Sequence, residues 1–154
     1  MCGYLGYVSF FDRIDQDKKN KLDKSLDLLN HRGPDGGDTF SDHRVFLGHR
    51  RLSIIELTDA GKQPMFTEDK KVGIVYNGEI YNYRNLSKQI SNLNSNSDTE
   101  VILKGYMLEG INFIKKLRGM YSFVIYDKEK NSLLMCRDPN GIKPLYFYHD
   151  KTQV

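Results

Sequence analysis

A chain of 154 residues has the length of one ordinary domain and can bury a core without disulfide staples. Its 39% hydrophobic and 28% charged residues exclude a disordered or fibrous chain, and a net charge of only +3 on scattered lysines excludes a nucleic-acid footprint. Two cysteines, Cys2 and Cys136, lie in no CxxC pair and near no histidine at ligand spacing, so neither a metal site nor a disulfide framework is expected.

The apolar opening meets Asp12 and Arg13 too soon for a signal peptide or a membrane span, which points to a soluble cytoplasmic protein. Gly3 to Phe10, rich in Tyr, Val and Phe, predicts a strand that starts beside Cys2. Leu22, Leu26 and Leu29 form the stripe of an amphipathic helix that His31-Arg32-Gly33-Pro34 ends. A Gly- and Asp-rich loop follows, through Asp38. It lacks the spacing of a nucleotide-binding phosphate loop and follows a helix rather than a strand.

Val45 to Ile55 and Val72 to Tyr81 read as strands, with Asp59-Ala60-Gly61 and Pro64 marking a turn region between them. Leu86, Ile90 and Leu93 predict a short helix. Ser97-Asp98-Thr99-Glu100 has the form of a capping box, so a longer helix starts there, with Asp98 at its first position, and ends near Gly110. Two alternating runs between Met120 and Arg137 predict a hairpin, and Pro139-Asn140-Gly141 turns the chain toward another strand at Leu145 to Tyr148. Segregated strands and helices in this order predict an α+β domain over residues 1–154, with one antiparallel sheet stacked on another and helices outside.

Cys2 is the first candidate for chemistry. Removal of the initiator Met, common before a residue as small as Cys, leaves a thiol and a free α-amine on one residue. With an ordinary pKa of roughly 7.7 to 8.0, that amine can accept the thiol proton and later return one to a leaving group. A cysteine at position 2 decides nothing alone. Asn77-Gly78 by itself reads as a type I′ hairpin turn, Arg51 as a solvent-facing strand residue, Asp98 as a helix-dipole partner and Glu79 as an exposed strand residue.

The segments that change this balance are Met1-Cys2-Gly3, His31 to Gly36, Gly48 to Ile54, Asn77 to Asn82 and Ser97 to Glu100, with Leu117 to Met120 and Arg137-Asp138 through Leu145-Tyr146 continuing the pattern. Together they closely resemble the glutaminase domain of glutamine-hydrolysing asparagine synthetases, a class II amidotransferase. That resemblance implies a four-layer αββα N-terminal-nucleophile fold and hydrolysis of L-glutamine to glutamate and ammonia through a Cys2 thioester. It implies an oxyanion hole from the Asn77 side chain and the Gly78 N–H. Arg51 would hold the α-carboxylate of the substrate, and Asp98 and Glu79 its α-ammonium. Leu52, Ser53, Ile54 and Ile55 would line the pocket.

His31 and His49 are expected to form structural hydrogen bonds, His43 and His149 to lie at the surface, and Cys136 to be a small core residue. Arg50 stands where some relatives of that family carry an acidic residue. Strand alternation lets only one of Arg50 and Arg51 enter the pocket, and the register with Leu52-Ser53-Ile54 selects Arg51.

The resemblance further implies an ammonia-accepting synthetase domain that uses ATP and Mg to amidate aspartate. Its Ser-Gly-Gly-x-Asp loop has no counterpart in these 154 residues, so no cofactor is expected in this chain. The chain ends in what resembles the middle of a hairpin, and an unpaired strand edge there is expected to weaken the fold or to pair with another chain, a homo-oligomer included. Two further readings stay open at this level: a glutaminase serving a sugar-type amidotransferase, and a non-catalytic glutamine-binding module.

Overall fold

The computed structural model describes residues 1–154. Its first sheet contains β1 (Gly3–Val8), β2 (Gly36–Ser41) and β3 (Val45–Arg51) in the order β1-β3-β2. The second contains β4 (Met65–Phe66), β5 (Val72–Ile80), β6 (Gly119–Asp127) and β7 (Ser132–Arg137) in the order β4-β5-β6-β7. All neighbouring strands run antiparallel. Helix α1 (Gln16–Asp27) lies on the first sheet, while α2 (Tyr83–Ser87), α3 (Asp98–Glu109) and α4 (Ile111–Ile114) cover the second. No helix is long and apolar enough to cross a membrane.

Strand alternation produces the four layers. Val45 and Leu47 of β3 meet Val75 of β5 and Val124 and Tyr126 of β6 between the sheets. The alternate residues of the second sheet, Val72, Ile74, Tyr76, Phe123 and Ile125, face the helices and join Ile102, Tyr106 and Phe113 in the larger core. On the far side of β3, Gly48 leaves room for Leu26 of α1, whose side chain a Cβ there would strike at 2.6 Å.

Several predicted elements differ in extent. β2, inside the stretch read as a loop, has no alternating apolar pattern; Gly36 to Asp38 are exposed and the strand is held by its backbone ladder to β3. α2 stops at Ser87, and Ile90 is buried from a non-helical stretch beyond it. The strand expected at Leu145 to Tyr148 is absent: these residues pair with no strand, and Tyr146 is 91% exposed. The final residues instead return to β1, where Val8 and Val154 exchange backbone hydrogen bonds at 2.8 and 2.9 Å.

α3 begins at Asp98 as expected, but its cap differs from a closed capping box. Ser97 Oγ accepts the Thr99 N–H at 3.1 Å, whereas Glu100 reaches past the cap to the Asn94 and Ser95 N–H groups. The buried carboxylate thus anchors the loop ahead of the helix. At its other end, α3 turns into α4 through Gly110 at φ +60, and the Phe113 ring lies where a Cβ on Gly105 would be, 2.1 Å from its Cε1. Replacing Phe113 by Ala is expected to cost about 3–5 kcal/mol in urea unfolding. A loss under about 1 kcal/mol would show that the α3–α4 pairing does not carry this layer.

Candidate active site

Register sets the position of Cys2. β1 pairs with β3 as Gly3↔Arg50 and Tyr4↔His49, so the next rung places Cys2 opposite Arg51. By alternation, Cys2, Tyr4, His49 and Arg51 point toward the second sheet, and Gly3 and Arg50 point toward α1. Arg50 accordingly forms an ion pair with Asp27 at the end of that helix. Arg51 enters the pocket that also exposes Cys2, Leu52 and Asn77.

The segment following α1 braces this corner. Gly33 lies so close to β3 that a Cβ would meet the Arg50 carbonyl carbon at 2.2 Å. Arg32 Nε donates to the Cys2 carbonyl at 3.2 Å, and Asp35 accepts the Ser53 N–H at 2.7 Å. The Cys2 Sγ accepts the Leu52 N–H at 3.4 Å and faces the Leu52 carbonyl at 3.6 Å, which fixes the thiol against the end of β3. Leu52, Ile54 and Ile55 line this pocket, while the Ser53 N–H is bonded to Asp35 and Ser53 is not among the lining residues.

Asn77 and Gly78 lie within β5 and form no hairpin turn, since Asn77 pairs with Ser122 and Gly78 with Tyr121. A Cβ at Gly78 would sit 2.2 Å from the Met120 carbonyl oxygen, which restricts this position to glycine. Odd-numbered residues here bond to β6, as the Tyr81 N–H to the Arg118 carbonyl at 2.8 Å shows at the strand's end. Even-numbered N–H groups therefore point to the opposite edge, beyond the short β4. There the Tyr76 N–H is taken by Gln63 Oε1 at 2.6 Å and the Ile80 N–H by Asp98 Oδ2 at 3.0 Å. The Gly78 N–H between them has no protein acceptor and faces the pocket. The buried Asn77 side chain faces the other sheet, bordering both this pocket and a second cavity that shares Cys2 with it.

The pocket is lined by charges of both signs. Arg51 Nη1 donates to the Thr58 carbonyl at 2.8 Å and Nη2 to the Glu56 carbonyl, which fixes the guanidinium and leaves three of its five N–H donors for an anion. Glu56 in turn accepts from Thr58 and from the Asn96 N–H at 3.1 Å, tying this loop to the start of α3. Asp98 is 4% exposed and accepts the Tyr76 hydroxyl at 2.7 Å. Burial raises its carboxyl above the ordinary range, the Ile80, Tyr76 and Thr99 donors oppose that rise, and nearby Glu79 adds to it. The two acidic groups thus bring negative charge to the pocket that Arg51 also lines.

Tyr76, Gln63 and Glu56 escaped sequence reasoning. Each is an ordinary residue in a strand or loop, and only the tertiary pairing of the β5 edge with α3 gives it a role. Among the histidines, His49 is fully buried and Nε2 faces the Tyr76 carbonyl at 3.1 Å, which makes Nε2 the protonated nitrogen. Burial lowers its pKa to about 4, with the Tyr76 carbonyl opposing and Arg51 adding to the effect. His31, exposed, contacts the Leu28 carbonyl at 2.9 Å. His43 and His149 are exposed, and Cys136 packs half-buried against the helix-side core. No cluster of three metal-ligating side chains occurs.

The sequence model of the glutamine amidotransferase domain matches residues 1–154. The chain is 40% identical to asparagine synthetase [glutamine-hydrolyzing] 1 of Bacillus subtilis over 100% of its own length and 25% of that protein. It is 36% identical to asparagine synthetase B [glutamine-hydrolyzing] of Escherichia coli, over 98% of the chain and 27% of the relative. It thus spans about a quarter to a third of the curated relatives it matches. Among solved structures, glutamine phosphoribosylpyrophosphate amidotransferase from B. subtilis, complexed with ADP and GMP, shares the fold at a TM-score of 0.72 and 19% identity, covering 94% of this chain and 38% of that one.

Because His49 is held neutral, it links stability to pH. Above pH 6.5 both folded and unfolded states carry a neutral imidazole. Between 6.5 and about 4 only the unfolded chain takes the proton, so folding stability falls as pH drops through that window. The loss from this group is about 3 kcal/mol. His49→Gln, whose amide can still donate to the Tyr76 carbonyl, is expected to flatten that part of the stability curve in urea titrations from pH 7 to 4. An unchanged slope would assign the acid sensitivity elsewhere.

Proposed function

Since this chain belongs to the glutamine amidotransferase domain family, we propose that it is a glutaminase in which Cys2, freed of Met1, attacks the side-chain amide of L-glutamine and releases ammonia. The observation that carries this reading is the convergence, in one pocket, of a thiol, an unpaired backbone N–H, the Arg51 guanidinium and the Asp98 and Glu79 carboxylates. The α-amine of Cys2 takes the thiol proton as Sγ adds to the amide carbon. The Asn77 side chain and the Gly78 N–H receive the oxyanion, a contribution typically near 10² to 10³ in rate per donor. Collapse breaks the C–N bond, the leaving nitrogen takes the proton held by the α-amine, and ammonia departs. Water then hydrolyses the thioester to glutamate and regenerates the thiol.

Arg51 takes the substrate α-carboxylate through its remaining donors, and Asp98 with Glu79 takes the α-ammonium. A bound ammonium also offsets the cost of keeping the Asp98 carboxylate ionised in a buried place. The residues 1–154 act as one glutaminase domain, and the ammonia serves a synthetase domain or subunit that amidates aspartate with ATP and Mg. The naming of the relatives as glutamine-hydrolysing asparagine synthetases supports that acceptor. The second cavity, which meets the substrate pocket at Cys2 and Asn77, gives the ammonia a way out that avoids the entering glutamine.

Purified protein is expected to release glutamate from glutamine, with intact mass showing loss of Met1. Cys2→Ala is expected to abolish release while leaving thermal unfolding unchanged. Glutamate release that survives in Cys2→Ala would sink this reading. Asp98→Asn separates binding from folding. The amide oxygen can still accept the Ile80 and Tyr76 donors, and a neutral group removes the burial cost of the charge. The variant is therefore expected to raise KM for glutamine more than tenfold with a Tm at or above that of the unmodified chain. An unchanged KM would remove Asp98 from substrate recognition.

A further inference from the structure

Lys143 has no part in the chemistry above, yet it is 3% exposed and its side chain ends at the same pocket as Cys2. A buried ammonium ordinarily has a carboxylate partner. None of the ten ion pairs in the molecule includes Lys143. The one hydrogen-bond partner of its Nζ is Sδ of Met1, the residue whose removal exposes the α-amine of Cys2.

Its backbone is firmly held. Asp138, itself buried, accepts the Lys143 N–H at 3.0 Å and the Ile142 N–H at 2.9 Å, and Arg137 Nε donates to the Lys143 carbonyl at 2.7 Å. Asp138 also accepts the Tyr121 N–H of β6, so the turn carrying Lys143 is fastened to the sheet that supplies Asn77 and Gly78. The placement of an unpaired cation here is thus built by the fold.

We propose that Lys143 is a positioning residue for the nucleophile: with Met1 gone, its ammonium faces the freed Cys2 α-amine and keeps that amine neutral and proton-accepting at neutral pH. This rests on the glutaminase reading of Cys2. A like charge nearby disfavours protonation of an amine, and the effect is strongest where water is excluded. The charged and titratable groups around that position are Arg32 from the turn after α1, Arg51 at the end of β3, Tyr76 and Glu79 of β5, Asp98 of α3 and Glu56 of the intervening loop. Arg32 is committed to the Cys2 carbonyl, Arg51 to the Thr58 and Glu56 carbonyls, and Glu56 to Thr58 and Asn96. Asp98 is engaged by Tyr76 and Ile80, and Glu79 lies near it in the same pocket. Lys143 is the one cation of this set with no oxygen partner.

The test compares the unmodified chain with Lys143→Met, of similar length but uncharged, and Lys143→Arg, each with Met1 loss verified by intact mass. The expected result is that the acidic limb of the kcat/KM profile for glutamine moves up by about one pH unit in Lys143→Met, a loss of up to about tenfold at neutral pH. At alkaline pH its rate should converge on that of the unmodified chain, and Lys143→Arg should restore the limb. Profiles that superimpose overturn the proposal, as does a uniform loss at every pH, which marks a packing role.

A second readout does not depend on catalysis. The pH dependence of acetylation of the Cys2 α-amine by acetic anhydride, followed by peptide mass mapping, should move in the same direction in Lys143→Met. If no Cys2-dependent glutamate release occurs, the glutaminase reading fails by itself, and this titration still decides the role of Lys143. An amine whose acetylation profile does not respond to Lys143→Met overturns it.

Discussion

The site depends on a strand edge that its neighbour leaves uncovered. β5 runs for nine residues, but β4 pairs with only Ile74 and Gly73, so the outward N–H groups of Tyr76, Gly78 and Ile80 have no ladder partner. Buried backbone donors cannot be left open without cost. Gln63 and Asp98 satisfy the first and third, and in doing so bring the 56–63 loop and the start of α3 to the edge. The middle donor, the Gly78 N–H, has no protein acceptor between them. A deficiency in sheet pairing thus leaves one donor free at the pocket, and the same hydrogen bonds that complete the fold set the walls of the pocket.

The opposing sheet contributes through register alone. Once Gly3 pairs with Arg50, Cys2 must lie opposite Arg51, and both must point toward β5. This explains how two adjacent arginines acquire unrelated tasks: Arg50 clamps α1 through Asp27 while Arg51 serves the pocket. A slip of one residue would exchange them and turn the thiol away. The close approach at Gly33 and the Arg32 and Asp35 hydrogen bonds hold this register at its open end, where a strand terminus would otherwise fray.

What was legible in the sequence follows from this division. Strands with alternating apolar residues, such as β3, β5 and β6, and the capped helix α3 carry their own local signals. β2 carries none, since Gly36 to Asp38 show no apolar alternation and exist as a strand only because β3 offers an edge. Leu145 to Tyr148 shows the converse: aromatic and apolar residues favour a strand locally, but no ladder receives them, so propensity goes unused. Asn77-Gly78 misleads in isolation because a turn dipeptide and a close-packed strand pair demand the same residues. Motif order resolved it, whereas Gln63, Glu56 and Tyr76 required the tertiary arrangement.

The charges of the pocket oppose the stability of the empty domain. Burial raises the Asp98 carboxyl, Glu79 adds like charge beside it, and Lys143 is buried without an anion. Each would be better solvated in the unfolded chain, and the apolar layers on both sides of the second sheet must offset them. A ligand that brings a cation to Asp98 and an anion to Arg51 offsets part of that cost. Electrostatic cost of this kind in the empty site is thus recovered by a ligand whose charges complement those of the pocket.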